Sequence, residues 1–440
     1  MWYSLWTRHP CVKHLDTRRH HGKATLSDSV NLKAKLEAHL SPDQVTLLRE
    51  AASAARSLAL PLYLVGGVVR DLLMKQPIQD IDLVVEGDVT QIAHTLATSL
   101  FGEVLAHSQF NTAKVALLGQ SLDIVTARHE TYRRPGALPT VRPGGILDDL
   151  RRRDFTINAM AIRLSPEPSG ELLDPLDGLR DLPAKLVRVL HPGSFRDDAT
   201  RILRAVRYEQ RLGFRLEQDT KTLLQRDLSM LDTIGGHRLR RELAFAFQEP
   251  DPSRLLARLA HLGVLGALHP PLARQADVEP QLARLKHVIP QPQLLHYLAW
   301  LAYPMQPEEA EGLVARLSMP KRWAAVVRDI VSTRHIATEL TSSASPVAVY
   351  RHLNGLSLEA VQVAAALEAN GAARESMTRY AEEWRKVRPL LTGQDIVKLG
   401  VAQGPQVGDL LYLLLKARLE GKTVTKADEQ ALIQQRLEEL

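Results

Sequence analysis

The 440-residue sequence predicts an α+β protein in which a small N-terminal sheet domain, the head, precedes helical neck, body and tail domains. Short apolar runs with β-branched residues predict strands, and helical patterns lie between and after the first two of them. The predicted strands are 61–65, 81–85, 112–118 and 122–126, and the predicted helices beside them are 41–57, 68–74 and 89–100. Beyond about residue 185 the strand signals end, and a helical pattern punctuated by Pro and Gly continues to the end of the chain.

Composition excludes several classes of protein. Apolar residues make up 45% and charged residues 24% of the chain, which is the balance of an ordinary globular protein and not of a disordered or collagen-like one. A single cysteine, Cys11, allows neither an internal disulfide nor a cysteine-built metal site, so we expect a cytoplasmic protein. No apolar run approaches the roughly 18 residues of a membrane helix, so no membrane partner is expected.

The pattern predicts five segments along the chain. The first carries a basic stretch with little periodicity, which favours a poorly ordered extension or an upstream start codon, and a mitochondrial presequence is the alternative. The second begins at Ser41, where Ser-Pro-Asp-Gln is a helix N-terminus signal. The predicted segments are an extension (1–40), the head (41–165), a helical neck (166–245), a helical body (246–335) and a helical tail (336–440).

Positive charge is concentrated in one region. The net charge is +6, and residues 180–241 alone hold 14 Arg or Lys against 8 Asp or Glu, a surplus of the same size. A concentrated basic segment favours a polyanionic partner, most simply a nucleic acid, although a solvated charged helix has the same composition.

The strongest local motif joins a glycine turn to a pair of acids. The predicted strand 61–65 runs into Gly66 and Gly67, which allow a sharp turn and leave N–H groups uncovered at a helix start, where a phosphate binds well. Asp80 and Asp82 follow, two residues apart on the next strand, so alternation places both carboxylates on one face.

Two acids on one face repel each other unless a cation lies between them. Mg²⁺ prefers such oxygen ligands, and two metal ions could activate an attacking hydroxyl and stabilise a leaving pyrophosphate. Asp80 and Asp82 are therefore the predicted catalytic and metal-binding residues of a nucleotidyl-transfer site. A lone Asp-x-Asp pair would more often be an exposed strand, but the Gly-Gly turn at this spacing favours the catalytic interpretation.

These residues resemble the first motif of the polymerase β-like nucleotidyltransferase superfamily. More narrowly, the sequence is similar to the class II tRNA nucleotidyltransferases, or CCA-adding enzymes, and to the related bacterial poly(A) polymerases. The resemblance continues in order: Asp123 lies where the superfamily often has a third metal-binding acid, with a structural role as the alternative, and 133–148 has the composition of the family's mobile loop.

A second motif follows about 70 residues after the first. Arg151-Arg152-Arg153-Asp154-Phe155-Thr156-Ile157-Asn158 resembles the family motif in which an aspartate accepts the ribose hydroxyls and arginines meet the triphosphate. The resemblance implies a set of nucleotide-binding residues in the head and neck. These are Gly66, Gly67, Arg70, Arg152, Arg153, Asp154, Asn158, Asp198, Arg201, Arg204 and Arg207.

The base-reading pair, Asp198 and Arg201, belongs to a fourth motif. Asp197-Asp198-Ala199-Thr200-Arg201 resembles the family's Glu-Asp-x-x-Arg, with Asp197 in place of the glutamate, which leaves the role of that position open. Three residues apart on a helix, the pair would share one face. Asp198 can accept from the exocyclic amine of cytosine or adenine and Arg201 can donate to the ring nitrogen, whereas uracil and guanine present the opposite pattern.

Two further stretches resemble family motifs. Gly236–Leu243 resembles the fifth motif, which predicts a helix that stabilises the neck, and residues 391–408 resemble the tail, where Gly N–H groups at a helix start could grip RNA phosphates. A plain helix-turn is the alternative in the tail. The predicted RNA-binding residues are Arg238, Arg240, Arg241, Gly404 and Gly408.

The sequence therefore predicts template-independent addition of CCA to the 3′ end of tRNA from CTP and ATP, with Mg²⁺ in a two-metal mechanism and release of pyrophosphate. Addition of A alone, addition of CC alone and polyadenylation share these motifs and remain open. A non-catalytic RNA-binding relative is disfavoured because a binding module has no reason to retain a repulsive acid pair. A small-molecule adenylyltransferase would not need the base-reading pair or a basic neck. The oligomeric state is not predicted.

Overall fold

The computed structural model describes residues 31–78, 80–99, 102–108, 112–117, 120–275 and 277–438. The basic stretch and Cys11, within the predicted N-terminal extension, lie outside the described residues. The structure is a mixed sheet with helices on its faces, followed by helices, so the predicted α+β class is confirmed.

The sheet has seven strands in the order β3-β4-β5-β2-β1-β8-β9. The strands β2 and β5 are parallel, and every other neighbouring pair is antiparallel. A separate hairpin, β6–β7, follows β5 in the chain. The strands are β1 (Leu62–Val65), β2 (Asp82–Val85), β3 (Glu103–Ser108), β4 (Thr112–Leu117), β5 (Gln120–Thr126), β6 (Arg128–Thr131), β7 (Thr140–Pro143), β8 (Ala161–Ser165) and β9 (Leu172–Leu173).

Helices cover one face of the sheet, and all of them except the first follow the predicted pattern. They are α1 (Lys33–His39), α2 (Pro42–Ser57), α3 (Gly67–Leu73) and α4 (Val89–Ser99). The helix cap predicted at Ser41 is present, and the structure shows it as a capping box: Ser41 Oγ accepts from the Gln44 N–H, and Gln44 Oε1 accepts from the Ser41 N–H. The buried faces of α2 and α4 join β1, β2, β4 and β5 in one hydrophobic core.

The opposite face of the sheet is covered by α5 (Ile146–Arg151). Ile146 and Leu150 pack with Val65 and Val84 in a small second core. The predicted mobile loop 133–148 is only partly a loop, because β7 pairs with β6 over residues 140–143 and α5 begins at Ile146.

Five of these nine strands were not predicted from the sequence. These are β3, β6, β7, β8 and β9, of which β8 lies between β1 and β9 in the sheet, although nearly 100 residues separate it from β1 in sequence. Its segment, Ala161–Ser165, is short and follows a charged motif, so its pairing with β1 is set by the tertiary fold and not by a local pattern.

Helices dominate the rest of the chain. The two short strands β10 (Leu186–Val187) and β11 (Arg215–Leu216) form one parallel pair. The helices are α6 (Gly178–Asp181), α7 (Ser194–Asp197), α8 (Thr200–Leu212), α9 (Gln218–Arg226), α10 (Gly236–Phe247), α11 (Pro252–His261), α12 (Val264–Leu268), α13 (Val278–Val288), α14 (Leu294–Ala302), α15 (Pro307–Arg316), α16 (Lys321–Glu339), α17 (Pro346–Leu353), α18 (Leu358–Leu367), α19 (Gly371–Glu382), α20 (Gly393–Lys398), α21 (Pro405–Leu419) and α22 (Lys426–Glu438).

The body is built around α14. This helix is buried along most of its length, with Tyr297 stacked on Phe247 of α10 at 5.9 Å between ring centroids. Arg316 donates to the carbonyls of Ile234 and Leu231, and so ties the end of α15 to the segment before α10. These contacts attach the body to the neck.

The tail has its own small core. Leu391, Ile396, Leu410, Leu414 and Ile433 form a cluster separate from the main one. The domain boundaries given above stay a prediction. Over the residues that the structure describes, no helix is both long and apolar enough to cross a membrane.

Candidate functional site

The glycine turn before α3 lies against an arginine. Gly66 has φ +76°, and a Cβ added there would lie 2.5 Å from Arg153 Nη1. A side chain at this position would therefore be strained and would also collide with the guanidinium. Gly67 begins α3 directly after the turn. The turn thus allows Arg153 to lie close to the backbone between β1 and α3.

Asp80 and Asp82 lie beside each other at the start of β2. Both are exposed, whereas Ile81 between them is buried, so the predicted alternation is present although β2 itself begins at Asp82. Partial desolvation raises the pKa of the Asp82 carboxyl, Arg153 lowers it, and the charges of Asp123 and Asp80 raise it further. The acids therefore repel one another in the absence of a cation.

Asp123 is the third acid of this edge. It lies on β5 directly opposite Asp82 in the parallel register, and its carboxylate is 3.7 Å from Lys114 Nζ on β4. We refer to Asp80, Asp82 and Asp123 as the carboxylate edge. No group of three or more His, Cys, Asp or Glu side chains is gathered as a metal site within the described ranges, and the role of Asp123 in metal binding stays a prediction.

Arginines face this edge from α5 and α8, and we refer to Arg152, Arg153 and Arg204 as the arginine wall. Asp149, which is fully buried, accepts from Arg152 through Oδ1 at 2.6 and 2.9 Å. Its Oδ2 accepts from Arg153 at 3.0 and 3.3 Å. One buried carboxylate therefore positions two neighbouring guanidinium groups.

A second buried carboxylate holds the third arginine of the wall. Asp154 Oδ2 accepts from Arg204 Nε at 2.9 Å and from Nη2 at 2.5 Å. Burial would raise the pKa of Asp154, but the Arg204 charge and hydrogen bonds from Arg204 and Asn158 hold it below its ordinary value. The Asp154 carboxylate is therefore ionised and carries the charge that balances Arg204.

The network continues through Asn158 to α3. Asn158 Nδ2 donates to Asp154 Oδ1 at 3.1 Å, while its Oδ1 accepts from Arg70 Nη1 at 2.6 Å. Arg70 also forms a two-point pair with Asp71. Since Asp154 Oδ1 accepts from the Phe155 N–H as well, all four lone-pair positions of this carboxylate are used. A ribose hydroxyl would have to replace one of these partners.

The base-reading pair is placed differently from the prediction. Asp198 does not lie on a helix: it links α7 to α8 with extended backbone, so the argument from a shared helix face was wrong. Its Oδ1 accepts from the Thr200 N–H and hydroxyl, and its Oδ2 accepts from Arg238 Nη2 at 2.7 Å. Arg201 is 5% exposed and donates to Ser194 and to the Arg152 carbonyl.

One cavity of about 660 Å³ unites most of the predicted residues. Of the predicted site residues, those lining it are Gly67, Arg70, Asp82, Arg152, Arg153, Asp154, Asn158, Asp198, Arg201, Arg204, Arg238 and Arg241. Asp80, Asp123, Gly66, Arg207, Arg240, Gly404 and Gly408 are not part of this lining. The cavity therefore joins an acid of β2 to the arginine wall and to the base-reading pair.

Arg207 lies behind the cavity and faces aromatic rings. Its guanidinium is 5.0 Å from the ring centroid of Phe245 and 5.7 Å from that of Tyr208. It is 3.6 Å from Glu242, whose pKa is raised by burial against the lowering effect of Arg207. Tyr208 also lies within 5.5 and 5.7 Å of Arg70 and Arg204, so one ring supports three cations.

The predicted RNA-binding residues separate into three groups. Arg238 and Arg241 line the cavity, and Arg238 pairs with Asp198. Arg240 instead donates to the Leu317 carbonyl, a contact between neck and body. In the tail, Gly404 precedes α21 and Gly408 lies in it, and a Cβ at either position would meet no atom within 4 Å. RNA binding by these residues stays a prediction.

Sequence reasoning missed several residues that build the site. Glu130 accepts from Arg128, Tyr132 and Arg152 along the β6 side of the cavity. The signal was present in the alternation Arg128-x-Glu130-x-Tyr132, which places three polar side chains on one face. Asp149 was also missed, although it precedes Arg152 and Arg153 by three and four residues on α5, the spacing of helical ion pairs.

The residues of the site fit a divalent cation. Asp80 and Asp82 supply exposed carboxylate oxygens on one face, and the raised pKa of Asp82 reflects, besides desolvation, repulsion by neighbouring acids that a cation would relieve. Hard oxygen ligands next to a wall of arginines suit Mg²⁺ together with phosphate groups.

Two family models match the chain. The model described as the poly A polymerase head domain matches residues 62–188, and the model described as a probable RNA and SrmB-binding site of polymerase A matches residues 213–275. The first match contains the carboxylate edge, the glycine turn, Asp149 and Asp154. The base-reading pair lies between the two matched ranges.

Relatives match over most of the chain. An A-adding tRNA nucleotidyltransferase of Geobacter sulfurreducens is 35% identical over 90% of this chain, which spans 47% of that relative's length. An A-adding tRNA nucleotidyltransferase of Halalkalibacterium halodurans is 34% identical over 91% of this chain and 94% of its own. The structure of a Thermotoga maritima CCA-adding enzyme complexed with tRNA_CCA aligns with a TM-score of 0.75 and 30% identity, over 93% of this chain and 99% of that one.

Proposed function

The chain belongs to the family of tRNA nucleotidyltransferase enzymes, and from this premise we propose that it adds nucleotides from CTP and ATP to the 3′ end of tRNA. The observation that carries the proposal is the single cavity lined by Asp82, the arginine wall and both Asp198 and Arg201. Nucleotidyl transfer with base selection requires acids of the kind found at the carboxylate edge, cations such as the arginine wall, and a pair of groups that read the base. A cytoplasmic location is part of the proposal.

The arginine wall binds the triphosphate. Asp149 holds Arg152 and Arg153, and Asp154 holds Arg204, before any nucleotide arrives. The conformational entropy of these side chains is therefore lost during folding and not when the nucleotide binds. Guanidinium groups held in this way neutralise negative charge on the phosphates as pyrophosphate leaves.

Asp80 and Asp82 hold Mg²⁺ in this proposal. The metal, when bound, would lower the pKa of the RNA 3′-hydroxyl and stabilise charge on the α-phosphate and on the departing pyrophosphate. The chain's own part is to keep both carboxylates on one exposed face at the start of β2, next to the glycine turn.

Base selection rests on Asp198 and Arg201. Cytosine and adenine each offer an amine to Asp198 and a ring nitrogen to Arg201, whereas uracil and guanine leave both side chains unpaired. Because Asp198 already accepts from Arg238, an incoming base shares or replaces that partner.

The neck and tail supply the contacts to tRNA. The surplus of basic residues between 180 and 241 fits a polyanion, and helical domains suit recognition of an RNA duplex by its shape. Binding is therefore expected to weaken as salt is raised.

Complete CCA is the product that the site favours, since the same pair can accept both CTP and ATP. Addition of the terminal A alone is the second candidate, and a specific observation favours it: two relatives that match about nine-tenths of this chain carry the name A-adding. The two candidates differ in what the enzyme does with a tRNA that lacks both C residues.

Three tRNA transcripts test the proposal. They end before CCA, after C and after CC, and each is incubated with Mg²⁺ and with CTP, ATP or both, with products sized to one nucleotide. Growth of the shortest transcript by three residues followed by arrest identifies a CCA-adding enzyme. Extension of only the CC-ended transcript by one A identifies an A-adding enzyme. Failure to extend any transcript would refute the proposal in favour of a non-catalytic RNA-binding relative.

A further inference from the structure

The guanidinium of Arg201 is buried and is held without an acid. Its Nη1 donates to Ser194 Oγ at 2.7 Å and to the Ser194 carbonyl at 3.3 Å, and its Nη2 donates to the Arg152 carbonyl at 2.7 Å. Across the described part of the chain, no carboxylate forms an ion pair with Arg201. Burying a guanidinium that has no carboxylate directly paired with it is costly, so its few acceptors fix where it lies.

Asp197 occupies the position where the family resemblance expects a glutamate, yet it faces elsewhere. Its carboxylate lies 3.5 Å from His191 Nε2, with both side chains well exposed. Ser194 is at the opposite end of the one-turn helix α7 and is only 1% exposed. The side chain that contacts Arg201 from this helix is therefore the buried serine and not the acid.

The Ser194 contact leaves defined donors free for a base. A guanidinium has five N–H groups. The three hydrogen bonds to Ser194 and Arg152 use both N–H groups of Nη1 and one of Nη2. The Nε–H and the second Nη2–H remain, on a side chain that lines the cavity. Rotation about the Cδ–Nε bond would turn these two N–H groups away from a base, and the hydrogen bond from Nη1 to the Ser194 hydroxyl opposes that rotation.

We propose that Ser194 is a positioning residue for base selection: its hydroxyl fixes the guanidinium of Arg201 so that the free N–H groups face the ring nitrogen of cytosine or adenine. This inference rests on the proposed function, since it assigns a residue to the same site. The backbone carbonyls of Ser194 and Arg152 remain in any side-chain variant, so loss of the hydroxyl loosens Arg201 without releasing it.

The test compares Ser194→Ala with Asp197→Asn, a neighbour on the same helix. We measure kcat and KM for single additions of CTP, ATP, UTP and GTP to tRNA, together with tRNA affinity and Tm. For Ser194→Ala we expect the preference for CTP over UTP, or for ATP over GTP, to fall about tenfold through KM for the correct nucleotide, with tRNA affinity unchanged. Asp197→Asn is expected to keep the preference within about twofold.

A double-mutant cycle with Arg201→Ala distinguishes a positioning role of Ser194 from a general structural role. If Ser194 acts through Arg201, then Ser194→Ala changes the preference in the wild-type background and adds nothing in the Arg201→Ala background. Should the alanine variant fold poorly, Ser194→Cys, with a similar volume and a weak acceptor, carries the same expectation.

Three outcomes overturn the inference. The first is a Ser194→Ala enzyme that slows all four nucleotides equally, and the second is an Asp197→Asn enzyme that loses the preference as strongly. Both leave the proposed function intact, because the wild-type enzyme still extends tRNA selectively. The third is a wild-type enzyme that extends no transcript, which refutes the proposed function and this inference with it.

Discussion

The carboxylate edge and the arginine wall lie on opposite sides of one site and are built in opposite ways. Asp80 and Asp82 are exposed, and repulsion from neighbouring acids contributes to the raised pKa of Asp82. Arg152 and Arg153, by contrast, both donate hydrogen bonds to the buried carboxylate of Asp149, one arginine at each oxygen. Over the described residues, Asp80 and Asp82 therefore form no ion pair, whereas the arginines of the wall are paired with buried acids.

The difference shows where each side obtains its order. The arginine wall is organised by folding, because buried acids hold its guanidinium groups in place before a phosphate approaches. The carboxylate edge is left for a cation to organise, since its acids repel one another and remain open to solvent. Removal of an acid should therefore have opposite consequences for stability on the two sides.

The largest expected effect is at the carboxylate edge. Asp82→Asn removes a proposed metal ligand, so we expect tRNA extension to fall by roughly a thousandfold or more, because several kcal/mol of charge stabilisation are lost. The free energy of unfolding should stay the same or rise by less than about 1 kcal/mol, because a repulsive charge is gone. Single-turnover assays and urea unfolding measure the two quantities.

Asp80→Asn is the matched second variant at this edge, and tRNA affinity is the control for both. Binding of tRNA should remain close to that of the wild type, since neither carboxylate favours contact with phosphate. Lost tRNA binding with normal chemistry would contradict the assignment of these two residues.

At the arginine wall we expect a smaller effect on activity than at the carboxylate edge, but a larger effect on the free energy of unfolding. Asp149→Asn keeps the shape of the side chain but leaves Arg152 and Arg153 without their shared charge, so the free energy of unfolding should fall by about 3 kcal/mol. Affinity for CTP and ATP should fall as well, because the two guanidinium groups lose their positions. Urea unfolding and nucleotide titration test this expectation.

The contrast would be lost if Asp149→Asn and Asp82→Asn changed the free energy of unfolding equally. Asp148→Asn is a suitable control beside Asp149, because the more exposed carboxylate of Asp148 caps the start of α5 and contacts neither Arg152 nor Arg153. A loss of stability in this control comparable to that of Asp149→Asn would mean that α5, and not the buried pair, accounts for the effect.

The third prediction concerns the group that reads the base. Asp198→Ala removes the acceptor for the exocyclic amine and releases Arg238, so rejection of UTP and GTP should weaken about tenfold or more while phosphate chemistry is less affected. Competition between the four nucleotides on one tRNA transcript measures the change. Unaltered rejection of UTP and GTP would show that selection does not depend on this carboxylate.

Local patterns predicted those features of the fold and of the site whose residues are close in sequence. The Gly66 turn, the cap at Ser41 and the alternation of Asp80 and Asp82 each depend on a few neighbouring residues, and all three are present in the structure. The pair formed by Asp154 and Arg204 joins residues 50 positions apart, so no periodicity in the sequence could indicate it.

Two other features escaped prediction for the same physical reason. The strand β8 extends the sheet beyond β1, a strand nearly 100 residues earlier in the chain, and this pairing depends on tertiary packing. Asp198 was placed on a helix because its spacing from Arg201 suits one, but the chain turns between α7 and α8 at this residue. Spacing predicted one shared helix face; both residues instead line one cavity from a backbone that the spacing did not indicate.

The smallest expected effect tests how the acids of the carboxylate edge influence one another. Asp123 contributes to the raised pKa of Asp82, after desolvation as the main cause, so Asp123→Asn should lower that pKa. Since the ionised form of Asp82 is the active one, activity would be lost at a lower pH than in the wild type. The Lys114–Asp123 pair is about half exposed, so the free energy of unfolding should change by less than about 1 kcal/mol. NMR titration of the aspartate side-chain carbons in metal-free protein measures the pKa, and an unchanged value for Asp82 would mean that the acids of this edge do not act together.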